Sequence, residues 1–129
     1  MNRKIFLAGT FIGLIAIILG AFAAHGLKPK LSPESMATFE TGVRYQMYSA
    51  FFLLILGQLP MISFRTKNIC FYLTIFGVLL FSGSIYLLAT NNLTAFDFRS
   101  IALATPLGGT LMIGAWSLLF LRFLKLKIE

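Results

Sequence analysis

The chain has 129 residues, 58% of them hydrophobic and 12% charged, with a mean hydropathy of +0.88. A water-soluble domain of this length has too little interior to hide that much apolar surface, so the chain is placed in a bilayer. The net charge of +7 does not mark a nucleic-acid binder: the basic residues separate apolar runs and form no patch interleaved with exposed aromatics. No nucleic-acid partner is expected. Cys70 is the single cysteine, which excludes an intrachain disulfide.

Four apolar runs follow in chain order, at residues 5–24, 45–64, 69–89 and 101–121. Each is about 20 residues, enough to span roughly 30 Å at about 1.5 Å per residue. Backbone groups in lipid must pair internally, so each run is read as a helix. The expected fold is all-α: one polytopic membrane domain, residues 1–129, with four transmembrane helices and an amphipathic helical extension before the second.

The first run also resembles a secretory signal, with Arg3 and Lys4 ahead of it and Ala21-Phe22-Ala23 near its end. Its length exceeds the roughly 7–15 residues of a signal core, and three more runs follow. A retained helix is expected, ending near Gly26, a candidate C-cap.

The extension covers residues 33–44. Ser32, Pro33 and Glu34 form a helix start: an N-cap, proline at the first helical position and an acid in the first turn. Met36, Phe39, Val43 and Met47 recur at helical spacing. Glu40 and Arg44 stand four apart, the spacing of an ion pair. The segment either lies along the interface and turns in at Gly42, or continues as one long helix.

Four helices put both termini on the side of the loop at residues 65–68. That side carries Arg3, Lys4, Arg65, Lys67, Arg122, Lys125 and Lys127, against Lys28, Lys30, Arg44 and Arg99 opposite. Both termini are therefore expected in the cytoplasm. Lipid supplies no hydrophobic drive for helix association, so small residues mark close contacts. Gly9, Gly13 and Gly20 on the first helix, Gly77 on the third, and Gly108 and Gly109 on the fourth are the expected packing glycines.

Parity brings the end of helix one, the start of two, the end of three and the start of four to one side. His25, Glu40, Arg44, Tyr45, Gln46, Ser82, Ser84, Tyr86 and Thr105 gather there as a candidate polar cluster. Polar side chains at membrane depth are costly and often functional. Each also has a structural role available: a helix-end histidine, an interfacial pair, an aromatic belt, or hydroxyls bonding between helices. One His, one Cys and four acids make no ordinary zinc site. No glycine-rich phosphate loop, activated nucleophile or mid-membrane acid is evident. No cofactor, metal or catalytic residue is expected.

The segments GAFAAHGLK (20–28), FETGVRYQMYSA (39–50), FSGSIYLLA (81–89), TPLGG (105–109) and GAW (114–116) resemble the domain of unknown function 423 family. These are small four-helix proteins of the bacterial inner membrane, with a transmembrane relative in animals. The resemblance covers nearly the whole chain and implies that fold and location, without an established activity. Ala23 stands where the family pattern often has Gly, and Ser49 where it often has His. A site needing a histidine pair on the first two helices would therefore be broken here.

The expected function is non-enzymatic: binding a membrane lipid, or a larger membrane complex or second copy, as an accessory protein. The alternative is a small-solute transporter or channel acting as an oligomer. An enzyme would have to use His25.

Overall fold

A computed structural model describes residues 2–93 and 102–126. Four long helices account for most of them. The first, α1 (Arg3–Phe22), runs into a single π-helical turn, Ala23–Leu27. The others are α2 (Pro33–Gly57), α3 (Phe64–Ala89) and α4 (Ala104–Leu124), with a short 3-10 turn at Asn91–Leu93. The described residues include no strand.

Counting the π turn with the first helix, three helices are long and apolar enough to cross a membrane: Arg3–Leu27, Phe64–Ala89 and Ala104–Leu124. Phe11, Ile17, Leu79, Ile113 and Phe120 are each more than 60% exposed. Helices apolar on their outer faces as well as their inner ones suit a lipid solvent.

Several boundaries differ from the sequence expectation, for local reasons. The second helix stops at Gly57 rather than residue 64. Pro60 has no N–H to donate, and it disfavours helix at the residue before it. The third helix starts at Phe64 rather than 69, because Ser63 caps it by accepting the Thr66 N–H at 3.2 Å. Arg65 and Lys67 therefore lie in a helical turn, not in a loop. Ser32 caps α2 as expected, accepting the Ser35 N–H at 3.1 Å. The extension and the second helix form one continuous helix, so Gly42 breaks nothing. Gly26 is not a left-handed cap, since no described glycine has positive φ. The chain winds through the π turn instead, and the Lys28 N–H bonds the Ala23 carbonyl at 3.0 Å. The fourth helix begins at Ala104; residues 97–101 lie outside the described segment.

Consecutive helices form the large interfaces: α1 on α2, α2 on α3, α3 on α4. Each neighbour is antiparallel, which leaves α1 and α3 parallel on either side of α2. At one end all four meet in an apolar core of Ile5, Phe52, Leu56, Phe71, Ala115 and Leu119. Lys67, 5% exposed, pins that end by donating to Asn2 Oδ1 at 3.2 Å and the Gly57 carbonyl at 3.4 Å. A cation at the end of α2 also suits the negative end of its dipole. At the opposite end Ala23, Leu27, Met36, Phe39 and Ala89 form a second core.

The glycines divide by what they touch. A Cβ on Gly108 would meet the Gly77 carbonyl oxygen at 2.6 Å and the Phe81 amide nitrogen closer still. Those are backbone atoms, which cannot step aside. A Cβ on Gly77 would meet Met112 at 2.6 Å and the Gly108 carbonyl at 3.0 Å. Gly9 is tight against Ala50 and Leu53, all at 3.2 Å. Gly13, Gly20 and Gly109 have room for a methyl, their nearest atoms standing at 3.4, 3.6 and 3.5 Å. The expected stripe of packing glycines thus reduces to a hard contact between α3 and α4 and a softer one between α1 and α2. Gly108→Ala should cost about 1–3 kcal/mol, the range of an overpacked interior. Gly109→Ala should hold or raise stability, because alanine is the better helix former. Reversible unfolding of both variants in mixed micelles checks the pair; equal stability would refute the hard contact.

Candidate functional site

Polar side chains meet where α1, α2 and α3 converge. Gln46 of α2 is 5% exposed. Its amide donates to the Ile12 carbonyl of α1 at 2.9 Å, and its Oε1 accepts the Tyr86 hydroxyl of α3 at 2.6 Å. One turn away, Ser82 is 1% exposed and donates to the Gly42 carbonyl of α2 at 2.7 Å. Gly42 allows this approach: a Cβ there would stand 2.8 Å from the Tyr86 ring and 2.9 Å from Ile85. Tyr86 also packs on Phe39, with ring centroids 4.8 Å apart. Ser84 faces the other way, sharing a hydrogen bond with Thr105 of α4.

Sequence parity gathers this cluster on one side of the bundle, and Gln46 is set against a candidate span. It meets the carbonyl of Ile12, near the middle of the stretch Arg3–Leu27. Because α2 ends at Gly57, Gln46 stands eleven residues, about 16 Å, from that end. At such depth an unpaired polar group is costly, and each of these side chains has a partner.

The other candidates separate from this knot. Glu40 and Arg44 are exposed and form no ion pair among the described residues. His25 is exposed on the π turn, apart from the knot, and has no hydrogen bond among the described residues. Tyr45 lies on another face of α2, edge-on to Tyr48 at 5.4 Å and to Phe81 at 5.2 Å. Ser49 is buried toward α4, donating to Met112 Sδ at 3.5 Å. So Ser49 and His25 address different neighbours. Two participants were hidden from sequence reasoning, the carbonyls of Ile12 and Gly42, since backbone acceptors have no letter of their own.

The knot floors a lateral groove of about 440 Å³ between α1 and α3. Phe11, Ile15 and Leu19 form one wall, Leu79 and Gly83 the other, with Gln46, Ser82 and Tyr86 beneath. A Cβ on Gly83 would meet nothing within 4 Å. The floor still has hydrogen-bonding capacity. Gln46 has a second amide hydrogen with no acceptor among the described residues. A second groove, about 680 Å³, lies between α2 and α4 and is lined by Tyr45, Tyr48, Phe81 and Trp116. No group of three His, Cys, Asp or Glu that could hold a metal occurs among the described residues.

The family model described as "Protein of unknown function (DUF423)" matches residues 19–109. A "UPF0382 membrane protein" of Staphylococcus epidermidis is 37% identical over 95% of this chain and 97% of its own length. The "UPF0382 membrane protein YwdK" of Bacillus subtilis is 32% identical over 95% and 98%. The "UPF0382 inner membrane protein YgdD" of Escherichia coli is 32% identical over 98% and 93%. No solved structure matches. The chain belongs to this family of membrane proteins.

The knot makes a measurable claim. Gln46→Leu and Tyr86→Phe should be non-additive, because both remove one bond. A double-mutant cycle of unfolding in mixed micelles should give a coupling of about 0.5–1.5 kcal/mol, the range seen for polar pairs between membrane helices. Strictly additive losses would break the link.

Proposed function

We propose that this member of the DUF423 family is a four-pass protein of the bacterial cytoplasmic membrane that binds a lipid sideways in the α1–α3 groove, without catalysing a reaction on it. Chain direction supports the fourth crossing. The starts of α1 and α3 adjoin, since Lys4 reaches the Tyr72 hydroxyl at 3.4 Å and Lys67 reaches Asn2. If those two helices cross, the chain between them must return, and α2 is the only helix that does so. Its Glu34, Glu40 and Arg44 then lie toward the outer face, and its buried Gln46 is shielded by α1 and α3. The excess of Lys and Arg at the opposite end supports cytoplasmic termini. The relative named as an inner membrane protein supports the location.

The observation that carries the function is an apolar slot with a polar floor and one unspent amide hydrogen. Pockets that select ligands combine apolar walls with a few placed polar groups. Here the walls suit an acyl or isoprenoid chain, and the Gln46 amide suits a carbonyl oxygen on it. Transport through a single copy is disfavoured by the dry core of Phe52, Leu56, Phe71 and Leu119 across one end. An accessory role beside a larger complex is favoured by the aromatic groove between α2 and α4, an exposed and largely apolar surface open to a partner.

Photolabelling tests the lipid reading. The purified chain in vesicles, with phosphatidylethanolamine carrying a diazirine on its acyl chain, should be labelled preferentially at Phe11, Ile15, Leu79 and Gly83. Gly83→Trp should fill the open space, cut that labelling severalfold and leave thermal stability nearly unchanged. Labelling spread evenly over Phe11, Ile113 and Phe120, and indifferent to Gly83→Trp, would sink the reading.

A further inference from the structure

Away from that groove, at the end where Lys67 pins the helices, a smaller pocket of about 200 Å³ is walled by Met61, Ile62, Ser63, Thr66, Arg122 and Lys125. We infer that this pocket binds the phosphate group of an anionic phospholipid headgroup. Its two cations come from the end of α4. Arg122 and Lys125 are three residues apart, a spacing that puts them on one side of the chain as the helix closes. Neither side chain has a hydrogen bond or ion pair among the described residues; their backbones are joined, the Lys125 N–H donating to the Arg122 carbonyl at 3.2 Å. The described acids, Glu34 and Glu40, lie at the far end of α2, at least 17 residues or about 25 Å of helix from Gly57. Lys67 is close by but engaged with Asn2 and Gly57, so it is not counted as a ligand.

The hydroxyls give an independent sign. Ser63 Oγ accepts the Thr66 N–H at 3.2 Å and shares a 3.0 Å bond with the Thr66 hydroxyl. Two hydroxyls bring two hydrogens, and the shared bond uses one. The other has no acceptor among the described residues, although Thr66 is only 2% exposed. Ser63 and Thr66 both line the pocket, so this pair has one hydroxyl hydrogen left over beside Arg122 and Lys125. The pocket adjoins the start of α3, where amide hydrogens lack intrahelical acceptors and the dipole is positive. Arg122, Lys125 and the remaining hydroxyl hydrogen are donors at this pocket, which is the chemistry that meets a phosphate oxygen. The same wall includes apolar Met61, 44% exposed, with exposed Phe64 next to Ser63. Free phosphate has no use for those side chains, whereas a phospholipid lays its glycerol and chains against them.

Diffuse attraction of basic residues to an anionic surface predicts a different response to substitution. The test measures the thermal stability of the full chain in neutral detergent, as the gain on adding phosphatidylglycerol over the gain with phosphatidylcholine. Phosphatidylglycerol should stabilise selectively. Arg122→Lys and Thr66→Val should each remove most of that selective gain, although neither alters charge. Because each gain is a difference within one variant, a lower baseline stability does not confound it. Native mass spectrometry of Arg122→Lys gives a second reading, with retained phosphatidylglycerol falling severalfold. Unchanged gains in both variants would reduce the pocket to diffuse charge and overturn the inference. Equal stabilisation by inorganic phosphate alone would overturn the assignment to a lipid. Gly83→Trp leaves this pocket untouched, so the groove and the pocket stand or fall separately.

Discussion

Gln46 joins three helices through its two amide atoms. It donates to α1 at the Ile12 carbonyl and accepts from α3 at Tyr86, while its own backbone belongs to α2. In water such bonds compete with solvent and contribute little. Gln46 is buried among apolar helices of a membrane protein, where little solvent competes and an unpaired amide is costly. The requirement therefore sets geometry more than energy. It fixes how far α1 and α3 stand from α2, and hence the width of the space between them. Ser82 on Gly42 repeats the constraint one turn away. That second bond needs a glycine, because any side chain at 42 would strike Tyr86 and Ile85.

The contrast between the two outer helices follows. Helix α4 is drawn onto α3 until backbones nearly touch, at Gly77 and Gly108, with Ser84 and Thr105 closing the far half. Helix α1 has no such meeting with α3. Its glycines Gly9 and Gly13 face α2 instead, against Ala50. The distribution of small residues thus decides which pair of helices zips and which pair leaves a slot. Close packing and an open groove arise from the same rule, applied to different helix faces.

Much of this could be read from the letters. Apolar run length marked four helices, and Ser32-Pro33 marked the start of α2. Gln46, Ser82 and Tyr86 stood out as polar residues inside apolar runs. The errors have physical causes. Hydropathy treats Arg65 and Lys67 as loop residues, yet a helix continues through charges when a serine caps it and a buried lysine finds carbonyl partners. Pro60 ends α2 at Gly57, seven residues before the apolar run does, and Gln46 stands well inside the helix rather than near its start. His25 was grouped with the knot because parity fixes only the leaflet, not the side of the helix. Gly109 and Gly20 were weighted like Gly108, because spacing does not say which glycine meets a backbone atom. Acceptors such as the Ile12 carbonyl are invisible to residue type altogether.

The slot is also bounded at both ends, which bears on what can occupy it. At one end Lys4 lies over the rings of Phe71 and Tyr72, at 5.2 and 4.9 Å, holding α1 beside α3. At the other end Ala23 and Leu27 of the π turn are packed with Met36, Phe39 and Ala89. Between these clamps the groove follows α1 from Ala8 to Leu19, about 16 Å of helix. A gap fixed at both ends does not close by rocking one helix. The proposed selection among lipid chains rests on its floor, where Gln46 has one amide hydrogen that it has not given to Ile12.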